Sequence, residues 1–190
     1  MPTTGWWEAL WPDPASVIAA VGITRGMEVI DLCSGDGWFT LPIAKLARHV
    51  IAIDIDPALL EVARMRLTAS SFTNCDYRLG DAYQQLFTLA GRMADFVFMA
   101  NAFHGVHDRP RLASAVHKTL KPSGRFAVVN WHPRPREETT VLGEARGPRT
   151  ELRLSAQQTI ESVVAAGFTP AAVVEILPYH YGAIFERTAP

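Results

Sequence analysis

Apolar residues in this chain fall into short, nearly unbroken runs, and the stretches between them carry helical spacing. The runs at 27–32, 50–54, 95–100 and 125–131 read as strands, and a short mixed stretch near 75–79 reads as another. Near-continuous apolar strands are what a sheet covered on both faces requires. A helix is expected over about 37–47, with Leu41, Ala44, Leu46 and Ala47 toward the sheet and Pro42 in its early turns, where proline is tolerated. A second opens at Pro57 and carries Leu59, Leu60, Val62, Ala63 and Leu67 at helical spacing. Residues 82–90 read as a helix or loop and 109–120 as a helix, with the LKPSG run at 120–124 as its exit and turn. The segment 133–153 reads as irregular. A last helix at about 155–166 ends at Gly167, and two strands near 171–177 and 181–187 join around Pro178.

Strand and helix alternate, which predicts an α/β fold with a doubly wound sheet and helices on both faces. The last two strands have no helix between them, so at least one should run antiparallel. With no internal repeat and no linker, residues 1–190 read as one domain. Residues 1–25, with Trp6, Trp7, Trp11 and a short apolar helix to Val21, form either a flap over a ligand or an anchor to the core.

Composition narrows the class. Of the 190 residues, 48% are apolar and 19% charged, the balance of a globular chain. A net charge of −1 offers no electrostatic footprint for nucleic acid, although Arg134, Arg136, Arg146 and Arg149 could meet an acidic substrate. No apolar run approaches the roughly 18–20 residues that cross a bilayer. The first residues lack the basic and apolar segments of a secretory signal, and two cysteines, Cys33 and Cys75, make no disulfide framework. A cytoplasmic protein with reduced thiols and no membrane association is expected.

The candidate chemistry begins where the first strand runs into Gly35-Asp-Gly37. Glycine lets backbone approach a ligand closely, and a strand, a Gly-x-Gly turn and a helix mark a nucleotide-type pocket at the carboxyl edge of a sheet. A dinucleotide fingerprint needs a third glycine or alanine, and Thr40 stands there instead. Asp31, just before the turn, would repel a pyrophosphate but suits an ammonium group. Asp54 ends the second strand, 19 residues after Gly35, where a carboxylate can accept from both ribose hydroxyls. Asp81 ends the third, where it can accept from the exocyclic amine of adenine. An amine, a free ribose and an adenine without phosphates describe S-adenosyl-L-methionine.

From about residue 26 to 187 the chain resembles the class I S-adenosylmethionine-dependent methyltransferases. The resemblance rests on VIDLCSGDG at 29–37, IAIDIDP at 51–57, Gly80-Asp81-Ala82, NAFHGVHD at 101–108 and LKPSGRF at 120–126. It implies the sheet order 3-2-1-4-5-7-6 with strand seven antiparallel. It also implies that Cys33, Ile55 and Ala82 line the cofactor pocket beside Asp31, Gly35, Gly37, Asp54 and Asp81, with Asn101 offering its backbone carbonyl to the methionine ammonium. Two departures stand out. Cys33-Ser34 replaces a more usual Gly-Cys, and Gly105 takes the second place of a frequent histidine pair.

Methyl transfer needs an aligned lone pair and a good leaving group, so positioning can supply much of the catalysis. A base is needed only if the acceptor arrives protonated. Because acceptors bind beyond the carboxyl ends of the strands, Phe103, His104, His107, Trp131 and His132 are expected near a small-molecule methyl acceptor. His104 reads either as a general base or acceptor-orienting group, or as a loop brace bonded to backbone. Tyr179, His180 and Tyr181 read as exposed hairpin residues, with a place near the acceptor as the alternative. His104, His107, His132 and Asp108 could be imagined around a metal, but methyl transfer requires none, and no metal is expected. The alternatives are a non-catalytic S-adenosylmethionine-binding regulator, methylation of a macromolecule, and a nicotinamide-dependent oxidoreductase.

Overall fold

The computed structural model describes residues 4–91 and 94–188. Two short helices, α1 (Thr4–Leu10) and α2 (Pro14–Val21), precede the sheet. Then come β1 (Glu28–Leu32), α3 (Thr40–Leu46), β2 (His49–Asp54), α4 (Pro57–Ala69), β3 (Cys75–Leu79), α5 (Ala82–Thr88), β4 (Ala94–Ala100), α6 (Arg109–Thr119) and β5 (Leu120–Trp131). A small hairpin of β6 (Thr140–Val141) and β7 (Glu144–Ala145) follows, then α7 (Ala156–Val164), β8 (Phe168–Ile176) and β9 (His180–Arg187).

Seven strands form one sheet in the order β3-β2-β1-β4-β5-β9-β8. β1 to β5 are parallel, and β9 is antiparallel to both β5 and β8. Counting β8 and β9 as the sixth and seventh strands, this is the expected order with the expected reversal. Side chains alternate between two cores, as the period of a strand dictates. Val29, Phe96, Phe98, Ala127 and Val129 pack with α1, α2 and α3 on one face. Ile30, Val97, Met99, Phe126 and Val128 pack with α5, α6 and α7 on the other.

Caps set several helix starts. Asp56 accepts from the backbone N–H groups of Ala58 and Leu59 with Pro57 behind it, and Asp108 accepts from Arg111. Ser155 and Gln158 form a reciprocal capping box.

Three local expectations are corrected. Residues 120–124 belong to β5, but Leu120 pairs with Ala94 and Arg125 with Phe96, so the turn chemistry survives as a bulge around Ser123 at φ 59°. The 133–153 segment holds the β6–β7 hairpin and two 3-10 turns, because buried Arg153 gathers its carbonyls. His180 and Tyr181, expected at the surface, are fully buried. They pair with Trp131 and Asn130 of β5 and so sit inside the sheet. No helix among the described residues is long and apolar enough to cross a membrane.

Candidate active site

The turn after β1 holds three residues in the left-handed region: Cys33 at φ 61°, Gly35 at 57° and Gly37 at 78°. At Gly37 a Cβ would stand 2.8 Å from the Cβ and 2.9 Å from the Cα of Ala63, so this glycine lets α4 approach the turn. Cys33 adopts the same region with a side chain, which carries a local strain. The Gly-to-Cys departure therefore falls where glycine has a physical reason to be. Asp54 fixes the turn from the next strand: Oδ2 accepts from the Gly35 N–H at 2.8 Å and Oδ1 from the Asp56 N–H at 2.9 Å.

Asp31 lies 2% exposed in the middle of the sheet edge and accepts from the Thr40 hydroxyl at 2.6 Å. Burial pushes its carboxyl up to about 7, against the lowering effect of the Thr40 bond and with a smaller push from the charge of Asp54. Asp81 caps α5, its Oδ1 accepting from the N–H groups of Tyr83 and Gln84. The same burial, together with the charges of Asp54, Asp31 and Asp81, pushes the Cys33 thiol up to about 12, so it is a neutral, inert group here.

These carboxylates border two cavities. One, of about 300 Å³, is lined by Asp31, Cys33, Gly35 and Asp54 on one side and by Trp6, Trp7 and Trp131 on the other. The second, of about 320 Å³, is lined by Asp54, Ile55, Asp81, Ala82 and His107. Cys33, Asp54 and Ala102 belong to both, so the two cavities meet at the tip of β2.

Asn101 and His104, just beyond β4, also line the first cavity. Asn101 has φ 57°, and its Oδ1 lies 3.1 Å from His180 Nε2. Burial holds the His104 imidazole below its usual range, with added repulsion from Arg109 and Arg153. Arg109 donates to the carbonyls of Phe103 and His104 and so fixes that loop.

The other residues expected around an acceptor are dispersed. Phe103 is fully buried and packs edge-on against Phe126, so it lies in the core. His107 borders the second cavity, beside Asp81. His132 pairs with Glu175 at 3.0 Å on the outer side of the sheet. Among the described residues no three His, Cys, Asp or Glu side chains converge as a metal-binding group.

The tryptophans divide between cavity wall and core. Trp6 and Trp7 line the cavity, while Trp11 is buried, stacks on Trp7 and donates to the Leu177 carbonyl at 3.2 Å. Trp38, Gly147 and Pro148 also line this cavity and were not anticipated, and His180 behind it was only the weaker of two expectations. Trp38 follows Gly37 directly and could have been suspected from that position, whereas the other three depend on how the 133–153 segment and β9 fold back.

The family model described as "Methyltransferase domain" matches residues 30–128, about half of the chain and nearly all of β1 to β5. A demethylmenaquinone methyltransferase of Tropheryma whipplei is 32% identical over 117 residues, which cover 60% of this chain and 46% of that protein. A ubiquinone biosynthesis O-methyltransferase of Xylella fastidiosa is 30% identical over 135 residues, covering 66% and 54%. The chain thus spans about half the length of these curated relatives. The crystal structure of a SAM dependent methyltransferase from Aquifex aeolicus has a TM-score of 0.81 at 22% identity, covering 97% of this chain and 93% of that one, a likeness of fold. By its matched strands, its sheet order and this likeness, the chain belongs to the class I S-adenosylmethionine-dependent methyltransferase family.

Proposed function

We propose that this protein transfers the methyl group of S-adenosylmethionine to a small-molecule acceptor. The observation that carries the reading is the meeting of two cavities at Asp54, with Asp31 in one and Asp81 in the other. Adenine would occupy the cavity of Ile55, Asp81 and Ala82, with the free Oδ2 of Asp81 toward the exocyclic amine. The ribose would lie at Asp54, whose two oxygens already accept backbone N–H groups and retain lone pairs for hydroxyls. The methionine end would lie along Cys33, Gly35 and Gly37, its ammonium near Asp31 and the Asn101 carbonyl. A nearby ammonium would draw Asp31 back into its charged form.

The acceptor would then enter between Asn101, His104 and the tryptophans. There the acceptor's lone pair forms the new bond to the methyl carbon as the carbon–sulfur bond breaks, and the electron pair leaves on a neutral thioether. His104, held neutral at pH 7, is available to take a proton from a protonated acceptor. One relative is named a demethylmenaquinone methyltransferase and another a ubiquinone biosynthesis O-methyltransferase, which supports an oxygenated ring compound as the acceptor. Calorimetric titration with S-adenosylmethionine tests the donor: micromolar binding is expected, and no binding at millimolar concentration would overturn the reading. Incubation with methyl-labelled donor and a small-molecule extract tests transfer, which would be overturned by binding without any labelled product.

A further inference from the structure

Buried polar atoms without a partner gather on one cavity. Ser34 Oγ, Trp38 Nε1, Asn101 Nδ2 and His104 Nδ1 all find no hydrogen bond, and all four residues line the cavity that holds Asp31. Buried groups left unsatisfied are costly, and each calls for a reason, of which a bound molecule that completes the bonds is one. Ser34 and Trp38 flank the glycine turn, on the side assigned above to the methyl donor. Asn101 and His104 follow β4, on the side of Trp131.

One end of the Asn101 amide has a partner. Its Oδ1 is held by His180 Nε2, and His180 is clamped between Trp11, at 4.5 Å between ring centroids, and Trp131, at 4.2 Å. Burial keeps His180 neutral, aided by the charges of His132 and Arg153, so it carries one proton. We place that proton on Nε2, because His180 Nδ1 is buried without a partner and an unpaired lone pair there costs less than an unpaired N–H; the oxygen of Asn101 is then the bonded end, and Nδ2 is the donor without a partner.

We propose that His180 is a positioning residue that orients Asn101 Nδ2 toward the acceptor, and that the acceptor is a flat hydroxyaromatic molecule. This rests on the methyl-transfer reading above. A hydroxyl oxygen has two lone pairs, one to accept from Nδ2 and one to attack the methyl carbon. An amine has one lone pair, needed for the attack, and its N–H groups would oppose the Asn101 donor. A thiol accepts hydrogen bonds poorly. Trp6, Trp7, Trp131 and Pro148 make much of the cavity wall apolar, which suits a planar apolar body. In the reaction the hydroxyl proton passes to His104 Nδ1, the oxygen–methyl bond forms as the carbon–sulfur bond breaks, and the imidazolium later returns its proton to solvent.

The test uses the full chain with 2-naphthol, 2-naphthylamine and 2-naphthalenethiol, which share one ring system and differ in the nucleophile. Binding of S-adenosylhomocysteine is measured first, and its absence would overturn the methyl-transfer reading rather than this one. With that binding in place, 2-naphthol should be methylated with kcat/KM about tenfold or more above the other two. Asn101→Asp, which replaces the donor by an acceptor at the same shape, should lower kcat/KM for 2-naphthol by about a hundredfold, measured at saturating S-adenosylmethionine. His180→Phe keeps a ring between the tryptophans and should lower kcat about tenfold, with partial rescue in His180→Gln, whose amide can again donate to Oδ1. Addition of 2-naphthol should shift the Asn101 side-chain amide resonance in the wild type and in His180→Gln. Equal or faster methylation of the amine or thiol, methylation of none of the three, an unchanged Asn101→Asp variant, or an unmoved amide resonance would each overturn the proposal.

Discussion

Thr40 donates its hydroxyl to Asp31 across 2.6 Å, in a site where both residues are buried. This bond explains why the third slot of the glycine turn holds a threonine. The helix reaches the sheet closely through Gly37 and Ala63, and position 40 instead supplies a partner for the acid.

A pH dependence follows from that acid. The folded-state value of about 7 lies above the unfolded 3.8, so Asp31 favours folding in its protonated form. Its contribution is complete below the unfolded value and is lost as pH rises through about 7. Asp31→Asn should therefore flatten the ligand-free stability profile across this window. At pH 8 it should raise stability by on the order of a few kcal/mol, and it should weaken S-adenosylmethionine binding. Thermal melts from pH 4 to 8 with and without ligand check this, and a variant melting in parallel with wild type throughout would refute it.

Asp54→Ala should loosen the glycine turn and the ribose site together, because it removes acceptors from the Gly35 and Asp56 N–H groups. We expect a loss of about 1–3 kcal/mol in donor affinity, roughly five- to 150-fold in Kd, by calorimetry. Asp54→Asn should keep one acceptor oxygen and lose less.

Gly37→Ala places a Cβ into Ala63 at a positive φ and should cost roughly 2–4 kcal/mol of stability. The double variant Gly37→Ala with Ala63→Gly should recover part of that loss, read as a non-additive change in urea midpoints. Simple additivity would show that the contact is not the cause.

Arg153→Ala should release the 133–153 segment. Arg153 donates to the carbonyls of Pro148 and Arg146 and to the Thr139 hydroxyl, and its guanidinium lies 5.0 Å over the Trp131 ring. A loss of about 1–3 kcal/mol is expected, with faster amide exchange at 136–149 and little change in α4. Arg153→Lys should restore little, since one ammonium cannot make the same fork of bonds.

The sequence made the parallel core legible because its signals are local. Apolar runs mark β1, β2, β4 and β5, and Asp31, Asp54 and Asp81 each end a strand, so strand position placed them at one edge of the sheet. The far wall of the cavity was hidden for the opposite reason. His180 lies 79 positions from Asn101 along the chain, and only the pairing of β9 with β5 brings them together. A polar Tyr-His-Tyr run after a proline reads as a surface turn, and nothing local says that two of its rings are buried. Phe103 failed as a site residue because adjacent side chains after a strand point in different directions: His104 faces the cavity and Phe103 the core.

The cavity has two walls of different origin in the chain. Asp31, Gly35, Asp54, Asn101 and His104 fall inside the span matched by the family model, while Trp6, Trp7, Trp131, Gly147 and Pro148 fall outside it. Replacing an indole at position 6 or 131 leaves every hydrogen bond of Asp31 and Asp54 in place. The two walls thus answer to different constraints: the first is fixed by the strand-edge acids, while the second can change its chemical preference only as far as Trp6 and Trp131, themselves part of the core, can be replaced without loss of stability.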